Sequence, residues 1–320
     1  MRPSSPFSRY VVEQLNDNYG YYLRASEPIE AGRTRFQEME VFDTPMFGRM
    51  LRLDRVFMTS EKDEFFYHEN IVHPSAIAHP GPKTALVVGG GDGGSAEELL
   101  KHPSMEKVVI AELDDGVVEA ARKHLAAIHR GAFDDPRVAV RIMDGKAYIE
   151  ETSDRFDLIV LDLTDPHGPS QALYTREFYA ACRQVLTPGG LLSLHVESPI
   201  SRPGTYLRIV KTLQAVFPIV RPYLVYIPLY GTWWGMVSAS VDTDPTALAE
   251  EEVERRIRER RLGHLQYYNG ATHRAVFALP NFVRDLLARP AELITVDSPP
   301  IEDNIGLNRD TELVLTPKAP

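Results

Sequence analysis

The chain has 320 residues, 43% hydrophobic and 25% charged, with 24 prolines and 21 glycines, a composition that excludes a disordered or fibrous protein. Its balance of 35 basic and 45 acidic residues gives a net charge of −10, which argues against nucleic acid as the main partner and is compatible with a cationic ligand. A lone cysteine, Cys182, reads as a helix-face thiol in a reducing compartment; with no signal-type leader and no run approaching ~18 apolar residues, the expectation is a soluble cytoplasmic protein without a membrane partner.

Residues 9 to 60 read as a small β unit. Apolar and aromatic runs at Tyr19–Leu23, Phe36–Phe42 and Arg49–Leu53 are separated by turn-like stretches such as Glu30-Ala31-Gly32 and Asp43-Thr44-Pro45. A helix is expected over 61–79, with Ser60 as its N-cap. His79-Pro80-Gly81-Pro82 then breaks the chain, so the expected division is 1–80 for a β domain with its following helix, 81–285 for a second domain, and 286–320 for a C-terminal extension.

From Lys83 onward, strands alternate with helices. Thr84–Val88 is a continuous apolar run, as a strand buried on both faces requires. Further strands are expected at 107–111, 138–142, 156–161 and 191–196, with helices at 96–102 and 117–129. This rhythm predicts an α/β doubly wound parallel sheet with right-handed crossovers. Ala247–Arg261 reads as a charge-dense helix with a solvated face, and the last forty residues show little periodicity.

Gly89-Gly90-Gly91-Asp92-Gly93-Gly94 lies between the first buried strand and the next helix. Glycines there permit a tight turn and close backbone approach to a ligand. Glu112 ends the second strand, where doubly wound nucleotide folds place a carboxylate on the ribose hydroxyls. Asp92, inside the turn, would repel a pyrophosphate but suits a donor bearing an amine. Nucleoside plus amine without phosphate points to an S-adenosyl-type sulfonium; the competing role for Asp92 is to cap the next helix. Asp144-Gly145 follows the third strand and is either an adenine-binding site or a simple turn. Asp162-Leu163-Thr164-Asp165-Pro166 follows the fourth strand; its two carboxylates can anchor a cation and take its proton, or cap the loop around Pro166.

These residues, over roughly 9 to 285, resemble the polyamine aminopropyltransferases (spermidine synthases). The matching stretches include Gln37 in TRFQ, DEFFYHE (Asp63–Glu69), GGGDGG, AELD, MDG, DLTDPHGPS (Asp162–Ser170), IPLY (Ile227–Tyr230), WWG and YYN. The resemblance implies a Rossmann-like catalytic domain of the S-adenosylmethionine type carrying a small N-terminal β domain, as a homodimer or homotetramer. It implies that Gln37, Gly89, Gly91, Glu112, Asp144, Gly145 and Pro169 hold the nucleoside of decarboxylated S-adenosylmethionine, a co-substrate rather than a permanently bound cofactor. Asp92 would bind its propylamine, Tyr67, His68, Asp165 and Tyr230 would line the channel of a small cationic polyamine, and Asp162 would be the general base. No metal is required. The implied reaction is spermidine formation from putrescine; transfer from intact S-adenosylmethionine and a non-catalytic nucleoside-binding homologue are the alternatives.

An aliphatic amine with a pKa near ~10.4 is almost wholly protonated at neutral pH. Asp162 is therefore expected to bind an ammonium and then receive its proton, with burial and Asp165 raising its pKa. The chain departs from the family pattern at His195, where glutamine is usual, at Arg55 and Met58, and at Gly270. His195 reads as a core or supporting histidine or, if it carries charge near pH ~6.5, as a group that would repel the far ammonium of a diamine.

Overall fold

The computed structural model describes residues 6–16 and 18–300. The N-terminal unit opens with a hairpin of β1 (Arg9–Asn16) and β2 (Tyr19–Ala25). A four-stranded antiparallel sheet follows in the order β3 (Glu30–Arg33), β4 (Glu38–Thr44), β5 (Gly48–Leu53), β6 (Val56–Ser60). The strand expected at Phe36–Phe42 becomes β4, shifted so that Phe36 and Gln37 lie in the turn before it. Thr34 Oγ1 accepts both of their backbone N–H groups at 3.1 Å, which holds that turn.

The helix α1 (Glu64–Ala78) begins later than expected, because Ser60 is the last residue of β6 and not a cap. Asp63 occupies the cap position, but its carboxylate accepts from Ser60 Oγ (2.5 Å) and Leu229 N (2.7 Å). Pro74 lies inside the helix and cannot donate to Asn70 O; the Tyr223 hydroxyl supplies that bond at 2.8 Å. The Ser193 hydroxyl bonds Ile71 O in the same way. These contacts lock α1 onto the large sheet, although the sequence groups it with the N-terminal unit.

The large sheet contains β7 (Thr84–Gly89), β8 (Lys107–Glu112), β9 (Val138–Ile142), β10 (Phe156–Asp162), β11 (Leu186–His195), β12 (Ile219–Ile227) and β13 (Thr232–Ser240). Their order is β12-β13-β11-β10-β7-β8-β9. The five expected strands run parallel; β12 and β13 add an antiparallel hairpin at one end, which the sequence reading did not foresee. Pro222 in β12 and the Trp233-Trp234-Gly235 run in β13 hide the usual alternation.

Between and beyond the strands run α2 (Gly94–Leu100), α3 (Asp115–His124), α4 (Ala126–His129), α5 (Gly145–Glu151), α6 (Arg176–Val185), α7 (Pro203–Gln214), α8 (Glu250–Glu259), α9 (Gly270–Val276) and α10 (Asn281–Leu287). The helix expected at 117–129 is divided at Leu125 into α3 and α4. In β7, Ala85 and Val87 join the core that continues into the N-terminal unit, while Leu86 and Val88 face the core under α6 and α7. Both faces are covered, hence the continuous apolar strands. Cys182 is buried on α6.

The charge-dense helix is not merely solvated. Val253 of α8 is buried, and Arg256 and Arg260 donate to the carbonyls of Ala76, Ile77, Ala78, His79 and Pro80, which end α1. The C-terminal segment contains α10, and residues 301–320 of the expected extension lie outside the described residues. Among the described residues no helix is long and apolar enough to cross a membrane.

Candidate active site

The crossovers reverse direction between β7 and β10, and at that switch point Gly89 pairs with Asp162. A cavity of about 470 Å³ opens over these strand ends, roofed by β5 and β6 of the N-terminal unit and by α1. Gln37, Gly89, Gly91, Asp92, Glu112, Asp144, Gly145, Pro169, Tyr67, His68, Asp162 and Tyr230 all line it. Of the expected site residues, only Asp165 does not.

The glycine turn is required sterically. Gly89 has φ +77°, and a Cβ there would sit 2.2 Å from Asp162 O. At Gly94 a Cβ would meet the His68 ring at 2.2 Å, so the start of α2 can tuck beneath that imidazole only without a side chain. Asp92 Oδ1 accepts the N–H of Gly94, the first residue of α2, at 3.0 Å, although the cap position itself is Gly93, and the carboxylate borders the cavity.

One half of the cavity is built largely from strand ends. Glu112 ends β8 and accepts the Asp114 N–H at 2.8 Å. Burial, with the neighbouring Asp114 charge, pushes its carboxyl up to about 7. Asp114 caps α3 by accepting from Gly116 N, and also accepts from Gln37 Nε2 (2.8 Å) and Thr34 Oγ1 (2.6 Å). It thereby aims Gln37, from the other domain, into the cavity. Asp144 caps α5 through Lys146 N (2.7 Å) while lining the cavity, so here too the turn and the site coexist.

Beyond that half lies a charged focus. Ligand atoms of His68, Asp92 and Asp162 fall within 4.8 Å of one another. His68 Nε2 is 3.4 Å from Asp92 and its Nδ1 is 2.8 Å from Glu64, which Arg130 holds in turn at 2.8 Å. Burial opposes charge on His68, but Asp92 and Glu64 outweigh it and hold the imidazole well above its ordinary pKa. Burial likewise lifts Asp92, yet the His68 charge and the Gly94 N–H bring it below the usual carboxylate value. Asp162 accepts from Ser95 Oγ at 2.7 Å and from Tyr67. Its pKa is raised first by burial and then by the Asp92 charge; the expected contribution of Asp165 is absent from its principal causes.

Asp165 instead borders a smaller hollow of about 30 Å³ behind Tyr67 and Tyr230, with Glu13, Met58, His195 and Trp234. Its carboxylate is 3.2 Å from Arg202 Nη1. Tyr67 and Tyr230 line both spaces, their rings 6.2 Å apart, and the Tyr230 hydroxyl donates to Met58 O at 2.8 Å. Glu13 accepts the Phe57 N–H at 2.6 Å, and burial pushes its carboxyl up to about 8. The buried reading of His195 holds over the charged one. The ring is buried, and burial lowers its pKa, so it is neutral at pH 7.

Glu13, Glu64, Ser95, Asp114 and Arg202 did not emerge from the sequence as site residues. One signal was available: in β1 the buried positions are Val11, Glu13 and Leu15, a carboxylate in an otherwise apolar inward row. The helix-borne residues carry no such mark.

Two family models match the chain: a spermidine synthase tetramerisation domain over residues 11–61 and a spermine/spermidine synthase domain over 64–250. A polyamine aminopropyltransferase of Nitrosomonas europaea is 49% identical over 310 residues, covering 96% of this chain and 93% of its own. Polyamine aminopropyltransferase 2 of Hyperthermus butylicus is 39% identical and covers 91% of this chain and 96% of its own. A spermidine synthase solved in complex with the transition state analogue AdoDATO superposes with a TM-score of 0.83 at 38% identity, over 90% of this chain and 98% of that one. With a matching fold, site geometry and family models over both domains, this chain belongs to the spermine/spermidine synthase family, the polyamine aminopropyltransferases.

Proposed function

We propose that the protein transfers the aminopropyl group of decarboxylated S-adenosylmethionine to a linear diamine, with putrescine the preferred acceptor and spermidine the product. The observation that carries this reading is the convergence of Asp92, His68 and Asp162 in the large cavity over the strand ends, joined through Tyr67 and Tyr230 to a smaller hollow bordered by Asp165 and Glu13. Gln37, Glu112, Asp144, Gly145 and Pro169 hold the nucleoside, and Asp92 takes the donor's ammonium. The acceptor lies between Tyr67 and Tyr230, whose faces attract a cation, with its far end towards Asp165 and Glu13.

The reacting nitrogen must lose its proton before it attacks. Asp162 binds the ammonium and receives that proton, helped by the raised pKa that burial and Asp92 give it. The nitrogen lone pair forms a bond to the propyl carbon on sulfur. The carbon–sulfur bond breaks with its electron pair going to sulfur, and neutral methylthioadenosine leaves. Because a sulfonium is already activated, positioning supplies most of the rate, worth up to ~7–11 kcal/mol.

Transfer from intact S-adenosylmethionine needs a free cation for its carboxylate. Of the sequence's candidates, Arg55 does not line the cavity, His195 is neutral, and His68 is balanced by Asp92 and Glu64. The setting we propose is a cytoplasmic homodimer or homotetramer, with a small polyamine rather than nucleic acid as its partner, in keeping with the net charge of −10. The deciding experiment is product mass spectrometry with both donors against putrescine, cadaverine, agmatine and spermidine. Spermidine and methylthioadenosine from the decarboxylated donor and putrescine are expected; a carboxylated product, or a tenfold preference for another amine, overturns the reading.

A further inference from the structure

The side chains of the charged focus are spaced as the ligands of a metal ion are. His68 Nε2 is 3.4 Å from an Asp92 oxygen. An ion with bonds of ~2.0–2.1 Å to nitrogen and oxygen, placed at the centre of a tetrahedron, holds its ligand atoms ~3.3–3.4 Å apart. One atom each from His68, Asp92 and Asp162 lies within 4.8 Å of the other two, so a small rotation of the Asp162 carboxylate closes the remaining edges. All three side chains border the large cavity, which leaves a fourth position open, as in zinc sites that exchange a water or a ligand.

The imidazole is also supported from behind. Its Nδ1 lies 2.8 Å from Glu64, whose other oxygen is held by Arg130 at 2.8 Å. A nitrogen facing a carboxylate carries the hydrogen, so Nε2 is the atom left for an ion; a carboxylate behind the ligating histidine is the usual support of such a site. The ring cannot turn away, because the Gly94 backbone lies so close that a Cβ there would be 2.2 Å from His68 Cε1. Thr59 on β6 points to the same place. It is 4% exposed, lines the cavity and faces Asp92, yet its Oγ1 completes no well-formed hydrogen bond. That hydroxyl can donate to a water on the open side of an ion.

We propose that His68, Asp92 and Asp162 form a binding site for a divalent transition ion of the zinc class, held through Nε2 and one oxygen of each carboxylate. The ion takes the place of the Nε2 proton, which leaves to solvent. One imidazole with two carboxylates suits zinc or cobalt better than magnesium, which prefers oxygen ligands and keeps its waters. The site is inhibitory. Asp92 and Asp162 are the groups assigned above to the donor ammonium and the reacting amine, so a bound ion excludes the donor; this competition rests on that reading, whereas the site itself rests on the geometry.

Calorimetric titration of Zn²⁺ into the ligand-free protein tests the site without any turnover. Wild type should bind one equivalent that His68→Gln and Asp92→Asn lose, while Glu64→Gln should weaken it about tenfold, the worth of an outer carboxylate. Co²⁺ in its place should give the visible absorption of a tetrahedral centre. In ¹⁵N-histidine-labelled wild type, Zn²⁺ should shift the His68 Nε2 resonance and leave Nδ1 protonated. No shift at His68, or an equivalent that survives unweakened in His68→Gln, overturns the proposal; the first result needs no variant to fold. Decarboxylated S-adenosylmethionine should displace the ion, and methylthioadenosine, which has no ammonium, should not. An ion bound at these residues that the donor fails to displace supports the site and overturns the assignment of Asp92 to the donor ammonium, so the two failures are told apart.

Discussion

The two ends of the cavity are built differently. At the proposed nucleoside end most groups follow from a strand end, the glycine turn after β7, Glu112 closing β8 and Asp144 after β9, while Gln37 is brought in from the turn before β4 by Asp114. At the amine end, Glu13 comes from β1, Tyr67 and His68 from α1, Asp165 from the loop after β10, His195 from β11, and Tyr230 and Trp234 from the β12–β13 hairpin. The first end is rigid because backbone geometry fixes it. The second is a set of buried polar side chains, each held by a partner far away in sequence, where charge balance decides what binds. Under the proposed function, the strand-end half would supply general affinity and the half with the buried polar side chains would supply rate and selectivity.

The sharpest way to break that contrast is at Asp162, where the two ends meet. Asp162→Asn should cut kcat by roughly 10²–10⁴, the usual worth of a positioned base, and leave calorimetric donor binding nearly unchanged. Wild-type kcat at saturating amine would remove Asp162 from the role of base.

Asp92 should show the next largest effect, on which donor is chosen. Asp92→Asn should weaken binding of the decarboxylated donor about 10- to 100-fold and narrow its advantage over intact S-adenosylmethionine, because a charge-assisted bond to ammonium is lost and a repulsion to carboxylate is relieved. Competitive calorimetry with both donors reads this directly. Tighter binding of intact S-adenosylmethionine to the wild type would reverse the assignment.

Glu13 sharpens the comparison through stability. The folded protein holds the Glu13 proton up to about pH 8, whereas the unfolded chain releases it near 4.5. In that window the native state binds more protons, so this group's contribution falls as pH rises. Glu13→Gln should therefore be near neutral at pH 5 and raise stability at pH 8.5 by about 1–2 kcal/mol, a few degrees in Tm. Thermal melts at the two pH values test it, and a parallel shift at both would show that the carboxyl's titration is not responsible.

The smallest effect is expected at Glu64, which lines the cavity and pairs with His68. Removing its charge in Glu64→Gln takes away one of the causes holding the imidazole high, so the His68 pKa should fall. Titration of the histidine resonances measures the shift, and KM for the donor should rise a few-fold with kcat nearly constant. An unmoved His68 resonance would leave Asp92 as its sole controlling partner.

The sequence by itself determined the parallel β7–β11 core and the strand-end residues that line the cavity, though not Asp114, which holds Gln37 there. Apolar runs buried on both faces are visible as runs, and a ligand at the strand ends is bounded by residues at fixed distances from them. It also named Asp162, Tyr67, His68 and Tyr230 through family motifs; position after the fourth strand already suggested a proton-accepting carboxylate at Asp162, while for the other three only the resemblance suggested a role. Tertiary structure decided the rest. Ser60 ends a strand instead of starting a helix because β6 pairs with β5 that far. Arg256 and Arg260 leave the solvent because the carbonyls ending α1 need donors. Asp165 lies off the main cavity because Arg202, thirty-seven residues away, draws it aside. His195 is neutral rather than charged because Trp234 and Tyr174 bury it. Burial and long-range pairing set the charge of a group, and neither is written in the residues beside it.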